Sequence, residues 1–326
     1  MTKLRSRHDA VHTGRTPCAT RWPWLACLVV LMSSNAGASQ CEPATPVFEL
    51  AEGVFVRTGK TAIVFEDTEV ANVGFIVGER CVAVIDSGGS VEEGAALRCA
   101  IERKAPSIPV CYVINSHVHP DHVFGNLAFK APGVEFIGHK NLPRAMSILG
   151  GVFLERAQAQ AGRALAADYL VVPERTVEDE LRLDLGGRVL LLKAHPSAHT
   201  DHDLSIFDDK TATLWLADLL FMDHVPVLDA SIGGWIAALT ELRGQEVRHV
   251  VPGHGPLDGS WPCALDDLLR YLSVVRDETR DAIARGDSLR SAQERVGRSE
   301  SARWQLFDEY HQRNVARAFS ELEWED

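Results

Sequence analysis

Residues 113–122 read Val-Ile-Asn-Ser-His-Val-His-Pro-Asp-His, an apolar run leading into a loop with three histidines and one aspartate within six positions. No other segment constrains the chain as much, because a strand must end where these four side chains can meet a common target. Imidazole and carboxylate are the ligands that suit zinc and similar divalent ions. In an extended chain side chains alternate with period two, so His117 and His119 point the same way and can grip one ion. Pro120 then turns the chain, which leaves Asp121 and His122 to face a second ion beside the first.

Short apolar, β-branched runs predict strands at 54–57, 73–77, 81–85, 110–114, 189–192, 204–207 and 213–216. Asp208-Asp209-Lys210 reads as a hairpin turn between the last two. Helical stretches are expected at 91–103, 153–167 and 235–242, and through most of 265–322. Ser90 before Val91-Glu92-Glu93 is a good helix cap with acids in the first turn, and Ser231 or Gly233 stands in the same place before Trp235. Strands and helices mix, then helices alone follow. By the layer rules this is an α/β sandwich over 39–260 with a helical C-terminal extension over 261–326. No Pro/Gly/Ser-rich linker marks off two independent domains.

The first stretch stands apart from the fold. Residues 1–21 hold Lys3, Arg5, Arg7, Arg15 and Arg21 against Asp9 alone, then an apolar run 22–32, then Ala36-Gly37-Ala38. That order is a secretory signal peptide cut near Ala38, so the mature protein is expected to be periplasmic or secreted. A membrane anchor is the alternative, although the run is short for a spanning helix. Residues 1–38 carry +4; the whole chain carries −12, so the remainder carries −16. Such an acidic balance argues against nucleic acid and against anionic membranes as partners. Cys41, Cys81, Cys99, Cys111 and Cys263 remain after the cut, an odd number that suggests disulfide pairing with one thiol left over. Cys81 and Cys111 each open a strand-like run and could bridge adjacent strands. The alternative is that all five are small buried hydrophobes.

The H-x-H-x-D-H segment, with Ala83-Val84-Ile85-Asp86-Ser87-Gly88, Ala198-His199-Thr200, Ala217-Asp218-Leu219-Leu220-Phe221 and Pro252-Gly253-His254-Gly255 in the same order, resembles the metallo-β-lactamase superfamily over residues 49–256. The resemblance implies an αββα sandwich: two mixed sheets face to face with helices outside. It implies two zinc ions per chain, iron being the alternative metal. His117, His119 and His199 would hold the first ion, Asp121, His122 and His254 the second, and Asp218 would bridge them. Hydroxide held by the metals would then attack an ester, thioester, lactone or amide carbonyl of a small-molecule substrate, with Asp121 orienting the water. The zinc β-lactamases usually carry Cys or Ser where Asp218 stands, so the sequence sides with thioesterase- and lactonase-like branches. Phe124-Gly125-Asn126, the run 198–203, Gly234-Trp235 and His311-Gln312-Arg313-Asn314-Val315 resemble the SoxH-like group, the quinoprotein relay system zinc metallohydrolases. That implies a quinoprotein dehydrogenase partner.

Five of the thirteen histidines serve this pattern. His202, three residues after His199, reads better as solvent-facing or as a support behind the ligands. His224 is divided evenly between pocket lining and plain surface, and Trp235 reads as core. Thr200, Asp201 and Asp203 either hold ligating imidazoles or cap a local turn. Two other function classes remain: a mononuclear-iron persulfide dioxygenase-like oxidoreductase, and a non-catalytic metal-binding accessory protein.

Overall fold

The computed structural model describes residues 46–64, 66–166 and 168–325, which belong to one compact unit. The leader expected over 1–38, with its cut near Ala38, lies outside the described residues.

Two mixed sheets form the centre. In the first, β1 (Phe48–Ala51), β2 (Val54–Arg57), β3 (Val73–Val77) and β4 (Val82–Ile85) make an antiparallel meander; β5 (Val110–Ile114), β6 (Glu135–His139) and β7 (Arg175–Val177) then add in parallel. In the second, β8 (Glu180–Asp184), β9 (Val189–Ala194), β10 (Leu204–Asp208) and β11 (Thr213–Phe221) are antiparallel, and β12 (His249–His254) lies parallel to β11. Burial follows from strand alternation. Val54, Val56, Ala83, Ile85 and Ile114 meet Leu190, Leu192, Ile206 and Trp215 between the sheets. Phe55, Val82, Val84 and Val113 face the other way, onto Leu97 and Ile101 of α1 (Val91–Lys104). Each such aliphatic side chain contributes roughly 1.5–3 kcal/mol by leaving water.

The outer face of the second sheet is covered by α4 (Ile232–Leu242), α5 (Asp266–Ala284) and α7 (Phe307–Leu322), with α6 (Leu289–Arg295) between the last two. Leu214, Leu216 and Val250 share one core with Trp235, Leu239, Leu268, Leu272 and Val315, so the helical tail is the fourth layer of the sandwich. A short α2 (Pro120–Val123) follows β5, and α3 (Leu142–Ala161) packs Leu142, Ala145 and Met146 over Val118, Val123 and Phe124.

The helix expected at 153–167 is α3, which begins and ends earlier. Gly150-Gly151 hid its first half, because glycine is a poor helix former. At Gly150 a Cβ would stand 2.7 Å from Leu170 Cδ1, the end of a side chain that can move aside. Ser231, not Gly233, caps α4, its Oγ accepting from Gly234 N. Strands β1, β6, β7, β8 and β12 were not in that set, and β9, β10 and β11 run past the expected ends. The Cys81–Cys111 bridge joins the chain at the starts of β4 and β5, Cys99 is disulfide-bonded as well, and Cys263 is free and exposed.

Candidate metal centre

Strand direction explains how distant residues meet. β9, β11 and β12 run the same way, with antiparallel β10 between the first two, so the segments that follow or end them converge on one edge. β4 and β5 of the facing sheet are parallel and bring Asp86 and Ser116 to that edge. Asp218 is an exception to the strand-end rule, because it lies inside β11. The pairing with β12 slips on both sides of Ala217, whose φ is +45°. A bulge of this kind re-aims the next side chain. The neighbouring strand makes room for it: a Cβ on Gly253 would lie 1.9 Å from Asp218 Oδ1.

Two groups of ligand atoms result, His117, His119, His199 and Asp218 in one, Asp121, His122 and His254 in the other. In the first, His117 Nε2 lies 2.9 Å from His119 Nδ1, which lies 3.2 Å from His199 Nε2. Asp218 Oδ2 stands 3.6 Å from His117 Nε2 and 3.5 Å from His199 Nε2. In the second, Asp121 Oδ2 is 3.4 Å from His122 Nε2 and 3.3 Å from His254 Nε2. Asp218 also reaches this group, with Oδ1 3.1 Å from His122 Nε2 and Oδ2 3.4 Å from His254 Nε2. Ligands about 2.1 Å from an ion in tetrahedral array sit about 3.4 Å apart, so both clusters have the right spacing. The structure thus brings all seven expected ligands together, with Asp218 facing both groups.

The polar accounting fits a cation. Both Asp121 oxygens, His122 Nε2 and Asp218 Oδ1 are buried and make no hydrogen bond. Each would cost roughly 1–3 kcal/mol if left so, and His122 Nε2 stands 3.4 Å from Asp121 Oδ2 and 3.1 Å from Asp218 Oδ1 within the cluster. The outward nitrogens of His117, His119, His122 and His199, by contrast, have partners. His117 Nδ1 meets Ser116 Oγ at 3.0 Å, His122 Nδ1 meets Asp86 Oδ2 at 2.8 Å, His119 Nε2 meets Asp229 Oδ2 at 2.8 Å, and His199 Nδ1 donates to Val227 O at 2.6 Å. Such contacts fix the ring and the tautomer of a ligating histidine.

Charge is divided unevenly among the imidazoles. Burial pushes His199 down to about 4 and His117 well below its usual range. Burial also opposes charge on His254, but Asp218 and Asp121 outweigh it and hold it up near 9. His122 is raised for the same reason, with Asp86 adding to the field. Burial would raise Asp121 and Asp218, yet the histidines around them keep both carboxyls well below the usual range. Incoming cations would displace the imidazole protons from this negative pair.

Sequence reasoning gave no role to the residues behind the ligands. Asp86 accepts from Ser116 N and Oγ at 2.8 and 2.7 Å as well as facing His122. Asp229 was not singled out at all. His224 proves buried, with its ring stacked 5.2 Å from that of His254. Trp235 is core, its ring 5.3 Å behind that of His199. Asp203 caps the turn at Thr200 N and Oγ1. His202 is buried against Asp201 and neither faces solvent nor joins the ligand groups. Phe124-Gly125-Asn126 buttresses the loop, Asn126 bonding Ser87 Oγ and Asn115.

A profile of the Metallo-beta-lactamase superfamily matches residues 67–254. A linear primary-alkylsulfatase from Pseudomonas sp. (strain ATCC 19151) is 24% identical over 237 residues, covering 62% of this chain and 43% of that protein. Among solved structures, a metallo-beta-lactamase from Pontibacter korlensis is similar at a TM-score of 0.57 and 19% identity, over 70% of this chain and 98% of that one. The stereoselective inverting sec-alkylsulfatase Pisa1 from Pseudomonas sp. is similar at a TM-score of 0.64 and 16% identity, over 85% of this chain and 50% of that one. The chain spans about half the length of the sulfatases it matches.

Proposed function

The chain belongs to the metallo-β-lactamase superfamily, and from that premise we propose that it is an exported binuclear zinc hydrolase acting on an ester, thioester, lactone or amide. The observation that carries the proposal is the Asp218 carboxylate, which faces both ligand groups at 3.1–3.6 Å. A bridging carboxylate suits two ions held close together, whereas a single-iron oxidoreductase has no need of the Asp121, His122 and His254 group.

His117, His119 and His199 would hold one ion and Asp121, His122 and His254 the other, with Asp218 between. A pair of divalent cations supplies a nucleophilic water at neutral pH and polarises the scissile group. The protein's own part is positioning. Asp121, in the first turn of α2, is among the residues that line a cavity of about 420 Å³ and would orient the attacking water. Phe124, Ala157, Leu165 and Tyr169 line that cavity and offer an apolar seat for the organic part of a small substrate.

A second substrate class is supported by the comparisons. The lactamase likeness covers 70% of the chain and the sec-alkylsulfatase likeness 85%. A sulfate ester is thus the alternative, cleaved by the same centre. Export is supported by the basic, apolar, Ala-x-Ala leader and by the Cys81–Cys111 bridge, since disulfides persist in oxidising compartments. The SoxH-like run 311–315 supports a place beside a quinoprotein dehydrogenase, which co-purification would test.

A panel of lactone, thioester, aryl ester, β-lactam and alkyl sulfate tests the reading on zinc-loaded protein. Turnover of one class, lost in Asp121→Ala and His117→Ala, is the expected result. Turnover unchanged in both variants would defeat it, and one tightly held iron with oxygen uptake on a persulfide would put the oxidoreductase in its place.

A further inference from the structure

The two ligand groups differ in what stands behind them. His122 leans on Asp86, buried within the sandwich at the end of β4, and His117 leans on Ser116, which the same Asp86 holds. His119 and His199 lean on Asp229 and on Val227 O, both in the segment that joins β11 to α4. That segment is gripped by the C-terminal helix. Arg313 donates to the Asp229 carboxylate, and Arg317 Nε donates to Asp229 O at 3.1 Å. Asn314 Nδ2 donates to Pro226 O at 2.6 Å while its Oδ1 accepts from Leu228 N at 2.9 Å. Glu321 accepts from Ser231 Oγ at 2.7 Å and Ile232 N at 2.8 Å. Arg313, Arg317 and Glu321 recur every four residues and so share one face of α7. The face reads, residue by residue, as a clamp on 226–232.

We propose that α7 is the outer support of the metal subsite formed by His117, His119 and His199, and that Arg313 is a positioning residue acting on His119 through Asp229. The inference rests on the two-metal reading. Asp229 has one oxygen on each neighbour: Oδ2 faces His119 Nε2 and Oδ1 receives Arg313. Held from both sides, the carboxylate keeps the His119 proton on Nε2 and leaves Nδ1 free for an ion. Arg313 is more than half exposed, so it acts by fixing the angle of Asp229 more than by its charge, which water screens. A lysine would return the charge as a single point, without the planar fork.

The test is zinc binding to the full mature chain, by competition with a chromogenic chelator, for the wild type, Arg313→Ala, Arg313→Lys and Asp229→Asn. Partners of ligating histidines typically set metal affinity by about 10–100-fold. Asp229→Asn should therefore weaken one of two zinc sites by that range, and Arg313→Ala the same site by about tenfold, with partial recovery in Arg313→Lys. The other site should keep its affinity in all of them. Two sites of wild-type affinity in Arg313→Ala would overturn the inference, as would equal weakening of both, which is the mark of general loosening. A wild-type chain that takes up no zinc would sink the two-metal reading itself. Thermal melting of the metal-free variants separates any folding loss from the change in affinity.

Discussion

The two halves of the metal centre share one support in the core, Asp86, which faces His122 directly and reaches His117 through Ser116 Oγ, but only the half that holds His119 has a second support. Behind His122 stands Asp86, wholly buried, holding Ser116 and His122 from one carboxylate inside the sandwich. Behind His119 stands Asp229, a quarter exposed, held in turn by the more exposed Arg313. The first support is part of the core; the second is applied from outside by the helical tail. In a low-dielectric interior the same hydrogen bond is stronger, and its loss costs more. The two subsites should therefore differ in how easily they can be disturbed.

The sharpest way to break this comparison is to remove the residue that both halves share. Asp218→Ala should lower turnover by roughly 10³-fold and leave no tight pair of ions, as read by steady-state kinetics and metal content. If only one ion is lost and turnover survives, the halves are independent. Next in size is Asp86→Ala, which strips the acceptor from Ser116 N, Ser116 Oγ and His122 Nδ1. The expected cost is about 3–5 kcal/mol in urea unfolding, within the range for a broken buried network. A loss below about 1 kcal/mol would mean that the sandwich does not depend on Asp86. Asp229→Asn comes third. It should cost under about 1 kcal/mol in the metal-free protein, as for other partly exposed pairs, while its effect shows in zinc affinity.

The smallest effect belongs to neither half. His195 sits beside Ser205, its Nε2 2.7 Å from the hydroxyl, and burial lowers it to about 4. A histidine depressed in the folded state contributes stability that is complete above its ordinary value near 6.5. That stability is lost as pH falls toward 4, because the unfolded chain takes up the proton first. From pH 7 to 6 the loss is under about 1 kcal/mol, which is at most about 2 °C in the melting temperature of a chain this long. His195→Gln should flatten that slope, and an unchanged slope would place the acid sensitivity at another buried histidine.

How much of this was legible beforehand depends on how rare each feature is. Three histidines and an aspartate in six positions are hard to arrive at without a metal, and His199, Asp218 and His254 follow apolar runs in an order that matches one family. The layers were legible as well, because Val54, Ala83, Ile85 and Leu192 alternate with outward neighbours. The supports were not. Val227 offers His199 a backbone carbonyl, which every residue possesses, and Asp229 is one of 45 acids in the chain. What selects it is α7 meeting it from 84 residues away in sequence, a tertiary fact. Strand β8 could have been read, since Leu181 and Leu183 alternate with charged neighbours. β7 is only three residues at a sheet edge and gives no period to find. The bulge at Ala217 is likewise invisible, because alanine carries no mark of a positive φ.

The central claim is that Asp218 joins two ion sites into one centre. Titrating metal-free mature protein with zinc in a calorimeter tests it most directly. Two ions per chain in the wild type, with tight binding of the pair lost in Asp218→Ala, is the predicted result. One ion per chain, taken up equally well by wild type and Asp218→Ala, would contradict it.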